Sequence, residues 1–203
     1  MTEITDSSHP DFWSTRYAAG KTPWDFQGVP RALTEFLART KRSKRGSVLI
    51  PGCGSGYEIA AFDAAGFDVT AIDFSPAAVK RARRVLRRRA SSIVCADFFE
   101  YDFGQRFDLI YERTFLCALP RARWPDYAGR LAALTVSGGA LVGTFFIGRA
   151  KEGPPCPITE AKLDKLLGRT FRRVCDKRVT DSLPVFGDRE RWQEWRRRAS
   201  KAK

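Results

Sequence analysis

The chain has one histidine, His9, in 203 residues, and none of its five cysteines stand at CxxC spacing. That scarcity argues against a zinc site built from His and Cys. Cys53, Cys95, Cys117, Cys156 and Cys175 are widely spaced and odd in number, which speaks against a complete disulfide framework. Most of them are expected to be small buried hydrophobes. No apolar run reaches about 18 residues, so no membrane-spanning helix is expected. The opening MTEITDSSHP lacks the charged-then-apolar layout of a secretion signal, and the expected location is the cytoplasm. Internal repeats and low-complexity tracts are also missing.

Positive charge is abundant: the net charge is +13. Such a balance can attract nucleic acid, a membrane surface or small anions. The basic residues are spread over 41–45, 80–89, 169–178 and 189–203 rather than gathered in one motif. In the second of these, Ala78, Val79, Ala82, Val85 and Leu86 follow helical spacing. That pattern leaves Lys80, Arg81, Arg84, Arg87 and Arg88 largely toward solvent, as a solvated helix face rather than a nucleic-acid groove. Hydrophobic residues make up 43%, enough for a sizeable core in a single domain. No heptad or exposed apolar stripe points to assembly, so a monomer is expected.

Residues 11–40 read as two short helices joined by a turn, punctuated by Gly20, Pro23, Gly28 and Pro30. KRSKRG then looks like an exposed connection. Beyond it, strand-like and helix-like segments alternate, which signals an α/β fold with a parallel sheet covered on both faces. Strands are expected over 47–50, 67–72, 92–99 and 107–112, with a fifth, ALVGTFFI, entered by a turn at Gly138 and Gly139. Helices are expected over 57–65, from Pro76 with Ser75 as N-cap, over 124–134 and over 159–167. FRRVCDKRVTD and RERWQEWRRR could close the sheet as an antiparallel pair, although the second also reads as a helix.

The sharpest motif is VLIPGCGSGYE, with Gly52, Gly54 and Gly56 in the turn after the first strand. Glycine there lets the backbone bend tightly and a ligand approach the peptide groups. A dinucleotide site would call for GxGxxG and a pyrophosphate at the helix start. This chain has GxGxG with Tyr57 next, which suits a ligand without phosphate, such as the methionine part of S-adenosylmethionine. Asp73, 17 residues after Gly56 at the end of the second strand, can accept hydrogen bonds from both ribose hydroxyls. Asp97 and Phe98 follow the third strand, where a polar and aromatic pair can hold an adenine. The competing reading makes Asp73 and Asp97 simple caps of the helices that follow.

The segments FWSTRYAAGKTPWDFQGVPRAL, VLIPGCGSGYE, IDFS, ADFFEYDFGQRFDLIYERTFLCAL, EGPPCP and RWQEWRRR together resemble the thiopurine S-methyltransferase family, nearest its thiol and halide methyltransferase branch. The resemblance implies a Rossmann-like class I methyltransferase of one domain, 1–203. Its core, 46–203, would hold a seven-stranded, mostly parallel sheet with a reversed last strand. An N-terminal helical lid, 1–45, would fold over S-adenosylmethionine. It implies that Trp13, Tyr17 and Trp24 touch the cofactor with Gly52, Gly54, Asp73, Asp97 and Phe98. Aromatic faces beside a sulfonium cation make physical sense, and Trp13 and Tyr17, four apart, share a helix face. The alternative is a lid packing its rings into the core.

Arg113 resembles the family arginine that faces the acceptor, and the resemblance implies a catalytic role for it; the other reading pairs it with Glu112 at the surface. Phe115, Phe146 and the loop around Pro154 would border the acceptor. The implied reaction is in-line displacement by a small thiol, which needs alignment and water exclusion more than a strong base. Halide, thiocyanate or a selenium or tellurium oxyanion is an alternative acceptor. A nucleic-acid methyltransferase is a further one, against which YERT stands where an NPPY-like turn would be. A non-catalytic protein with a relic cofactor fold is the last.

Overall fold

The computed structural model describes residues 6–41, 46–86, 93–149 and 153–199. Arg87, Arg88, most of the 41–45 cluster and the last four residues lie outside that set. The elements run α1 (Pro10–Ala18), α2 (Arg31–Arg39), β1 (Ser47–Pro51), α3 (Tyr57–Ala64), β2 (Asp68–Asp73), α4 (Pro76–Leu86), β3 (Ile93–Cys95) and β4 (Phe107–Arg113). They continue with α5 (Trp124–Leu134), β5 (Thr135–Phe146), α6 (Glu160–Leu167), β6 (Phe171–Arg178) and β7 (Glu190–Arg197).

The seven strands lie in the order β3-β2-β1-β4-β5-β7-β6. β1 to β5 pair in parallel, and β7 enters between β5 and β6 antiparallel to both. Period-two alternation sends Val48 and Ile50 to one face and Leu49 to the other. The first face packs under Leu33 and Phe36 of α2, Ile59 and Phe62 of α3, and Val79 and Ala82 of α4. The second packs under Trp124, Tyr127 and Leu131 of α5 and Leu163 and Leu167 of α6. The α/β class and the mostly parallel seven-stranded sheet expected from the sequence are what the structure contains.

Local chemistry sets the boundaries, and several differ from the sequence expectation. β3 stops at Cys95 rather than running to 99, because the Asp97 carboxylate accepts from the Phe99 N–H at 2.7 Å and turns the chain. β5 starts at Thr135, so Gly138 and Gly139 interrupt a strand instead of preceding it. Phe107 pairs with Thr135 but Leu109 pairs with Ala140, leaving extra residues bulged on β5 around Gly138 at φ +72°. RERWQEWRRR is the strand β7, with no helix. On α4 the Ser75 hydroxyl accepts from the Ala78 N–H as its N-cap, but Val85 is 37% exposed rather than buried. Arg81 is not free in solvent: it pairs with Asp25 at 2.9 Å. Cys53, Cys117 and Cys156 are buried, Cys95 is exposed, and all five thiols are free. Among the described residues no helix is long and apolar enough to cross a membrane.

Two glycines should respond oppositely to alanine. A Cβ on Gly143, at φ +154°, would sit 1.8 Å from the Glu112 carbonyl oxygen in the paired strand. Gly143→Ala should therefore destabilise by more than about 3 kcal/mol or abolish soluble protein. Gly129, within α5, has open space around it, and Gly129→Ala should stabilise by about 0.5–1 kcal/mol. Urea denaturation of the two variants checks both signs.

Candidate active site

Above the carboxyl ends of β1, β2, β3 and β4 lies a cavity of about 830 Å³, roofed by α1 and the loop after it. This is the edge where open α/β sheets take their ligands. The turn after β1 shapes its floor. A Cβ on Gly52 would lie 2.4 Å from the Phe115 ring, and one on Gly54 would lie 2.6 Å from the Tyr17 hydroxyl. Both backbones sit at positive φ, +58° and +53°. Glycine is thus required twice over, for conformation and for close approach.

Asp73 ends β2 and binds this turn. Its Oδ2 accepts from the Gly54 N–H and its Oδ1 from the Ser75 N–H, both at 2.9 Å. Burial pushes its pKa up to about 6, while the two N–H donors hold it down against that push. Asp73 therefore does support the start of α4, as the competing reading held, and its carboxylate also borders the cavity. Asp97 is exposed at the rim, and buried Phe98 meets Phe115 edge to face at 5.3 Å.

The roof brings three aromatics together. Trp13 and Tyr17 of α1 share the cavity side, and Trp24 contacts both, with ring centres 5.3 Å and 6.1 Å away. Burial, then the nearby Asp73 carboxylate, raises the Tyr17 phenol well above its usual range, so it stays neutral. Polar contacts fasten the roof to the body. The Ser14 and Ser75 hydroxyls lie 2.9 Å apart, and Asp25 accepts from the Ser55 hydroxyl at 2.6 Å while pairing with Arg81.

β4 delivers Arg113, whose side chain is only 8% exposed. Its partner is not Glu112, as the surface reading had it, but Glu58 in the first turn of α3, at 3.5 Å. The guanidinium also stands 5.1 Å from the centre of the Phe26 ring in the roof. Glu112 points elsewhere, because successive strand side chains alternate faces. It accepts from the Tyr127 hydroxyl at 2.6 Å and from the Phe115 and Leu116 N–H groups at 2.9 and 3.0 Å. Those bonds hold a turn in which Thr114, a β-branched residue, sits at φ +58°. Burial pushes the Glu112 pKa up to about 7.

Phe115 and Pro154 border the cavity as expected from sequence. Phe146 does not. It lies one layer back against Phe186, at 5.2 Å, and Phe186 with Val185 takes the wall. Residues that sequence reasoning missed are Asp25, Phe26, Glu58 and Tyr111. Glu58, two positions past the last glycine of the motif and on the first turn of a helix, was the one with a readable signal.

The sequence profile described as thiopurine S-methyltransferase matches residues 8–198. The chain is 32% identical to a protein of Arabidopsis thaliana named probable thiol methyltransferase 2, over 76% of this chain and 70% of that one. It is 26% identical to thiocyanate methyltransferase 1 of Brassica oleracea, over 91% and 84%. In fold it is similar to 1,6-didemethyltoxoflavin-N1-methyltransferase of Burkholderia thailandensis, solved with 1,6-didemethyltoxoflavin and S-adenosylhomocysteine bound. The TM-score there is 0.74, with 22% identity over 93% of this chain and 87% of that one.

The buried carboxyls imply a pH dependence of defined sign. Asp73 and Glu112 both hold their protons more tightly folded than unfolded. Their stabilising share is therefore complete below about pH 4 and is lost as pH rises through about 6 and 7. For Glu112 that loss should be about 3 kcal/mol. Stability measured by urea from pH 4 to 7.5 should fall more steeply in the native protein than in Glu112→Gln.

Proposed function

The chain belongs to the thiopurine S-methyltransferase family, and from that premise we propose that it transfers the methyl group of S-adenosylmethionine to the sulfur of a small thiol. One observation carries the reading: the glycine turn, Asp73 and the three roof aromatics converge on a single cavity. Its size falls within the range usual for small-molecule sites.

The residues suit that cofactor chemically. The Asp73 carboxylate has about four acceptor positions, and backbone N–H groups use two, leaving two for a ribose diol. Asp97 and Phe98 offer a polar atom and a ring edge for adenine. The faces of Trp13, Tyr17 and Trp24 offer electron density to a cation. Bound there, S-adenosylmethionine supplies a methyl carbon on a positively charged sulfur, open to attack from the side away from that sulfur.

The protein's part is alignment, exclusion of water and charge. The roof, fastened by Ser14 and Asp25, shuts solvent from one side of the cavity. Phe115, Pro154 and Phe186 give the acceptor an apolar wall, against which an aromatic or aliphatic thiol can settle. Arg113, nearly buried, favours the anionic form of the acceptor, the form in which sulfur is nucleophilic. The same cation supports a second reading with thiocyanate or a halide as acceptor, in keeping with the Brassica oleracea relative.

Transfer of labelled methyl to a panel of thiophenols, thiopurines, hydrosulfide, thiocyanate, iodide and tRNA tests the proposal. Product on thiols is expected; label on tRNA alone would overturn it. Asp73→Ala should weaken S-adenosylmethionine binding by about 10- to 100-fold in calorimetry, since a buried charged acceptor is lost. Arg113→Ala should raise KM for anionic acceptors by about tenfold or more, and unchanged turnover on every acceptor would remove Arg113 from the role.

A further inference from the structure

Among the described residues four carboxylates border the cavity, and three of them accept hydrogen bonds from other residues. Asp25 holds Ser55 and Arg81, Asp73 holds the Gly54 and Ser75 amides, and Asp97 holds the Phe99 amide. Glu58 differs. Its carboxylate meets its own backbone amide and Arg113, with 3.5 Å from its Oε1 to the Arg113 Nε. That Nε is buried and finds no hydrogen-bond partner among the described residues, and neither does the buried hydroxyl of Tyr111, two residues earlier on the same strand. An acid, a cation and two unsatisfied buried polar atoms thus meet at the wall where β4, α3 and the Phe26 segment of the roof converge. Buried polar atoms without partners cost stability, so this corner is built to be completed by something polar that enters the cavity.

We propose that Glu58 is the base that takes the proton of a thiol acceptor, while Arg113 turns from Glu58 to the thiolate left behind. The proposal rests on the thiol methyltransferase reading above. The thiol S–H bond breaks with its electron pair staying on sulfur, and the proton moves to a Glu58 carboxylate oxygen. That sulfur pair then forms the bond to the methyl carbon. The bond from methyl to the donor sulfur breaks with its pair remaining on the donor, which becomes a neutral thioether. The proton passes from Glu58 to water as the products leave. Charge at the Arg113 corner is conserved across the proton transfer, a carboxylate facing the cation before it and a thiolate after it; methyl transfer then neutralises the thiolate, and loss of the Glu58 proton restores the carboxylate.

The surroundings of Glu58 fit a residue that exchanges protons. Burial raises its pKa and Asp25 from the roof adds to that, while Arg113 from β4 lowers it. Tyr111 from β4 and Cys53 from the glycine turn also feel its charge, and both are held neutral by burial. A carboxyl so placed is a better proton acceptor than one in water. A single histidine, His9, capping α1, makes a carboxylate base the more economical assignment.

Glu58→Gln keeps the shape and removes the base. The native protein and this variant are compared with an alkyl thiol, a thiophenol, an electron-poor thiophenol and thiocyanate, from pH 6 to 9. The loss in kcat/KM at pH 7 should be about 100-fold or more for the alkyl thiol. It should shrink with acceptor pKa and be smallest for thiocyanate, which has no proton to give. In the variant, kcat/KM for the alkyl thiol should climb about tenfold per pH unit, with a flatter native profile.

A second readout needs no turnover: heats of thiol binding to protein holding S-adenosylhomocysteine, in two buffers of different ionisation enthalpy. The native protein should retain the thiol proton, so the two heats agree; the variant should release about one proton per thiol. Equal losses on all four acceptors, or proton release by the native protein, would overturn the role of Glu58. Native activity confined to non-thiol acceptors would instead overturn the parent reading.

Discussion

The two hydrogen bonds to Asp73, from the amides of Gly54 and Ser75, join the turn after β1 to the start of α4 across the middle of the sheet. Because the turn is held at that point, its glycine backbones stay close against Phe115 on one side and Tyr17 on the other. Phe115 is in turn positioned by the Glu112 carboxylate, and Tyr17 by a roof fastened to Ser75 itself. Floor and roof therefore share the buried Asp73 carboxylate as their reference, and a second buried carboxylate, Glu112, sets the wall. The same burial that raises the proton affinity of Asp73 makes it a strong acceptor for any donor that comes within reach.

Acidic side chains at this edge are sorted by neighbours rather than by type. Backbone amides occupy Asp73 and Asp97, a serine and an arginine occupy Asp25, and a tyrosine with two amides occupies Glu112. Glu112 serves the backbone: its bonds stabilise a turn whose Thr114 would otherwise avoid positive φ. Among the described residues at this edge, only the Glu58 corner joins an acid to a cation with polar atoms still unmet. Elsewhere among the described residues, cations stand in ion pairs such as Arg173 with Asp164 and Asp176.

Much of this was readable in the sequence because it follows from local pattern. The GxGxG turn, Asp73 at the next strand end and Asp97 after a third strand are fixed by chain spacing, and each lies at the cavity. The aromatic spacing of Trp13 and Tyr17 predicted a shared face, which the roof confirms. Tertiary pairings left no such trace. Arg113 is next to Glu112 in sequence, yet strand alternation parts them and brings Glu58 across from another helix. Phe146 and Phe186 are equally apolar, and only packing decides which of them reaches the wall. Gly138 and Gly139 read as a turn, because glycine pairs mark turns and strand bulges alike.

The place of β7 carries a consequence for how the sheet holds together. It lies between β5 and β6, so β6 touches the sheet only through it. Without residues 190–197, β6 would have no partner and β5 would show an open edge of unpaired backbone groups. β7 therefore does two jobs at once, covering the edge of β5 and tying β6 to the sheet, so loss of its pairing would free two strands together.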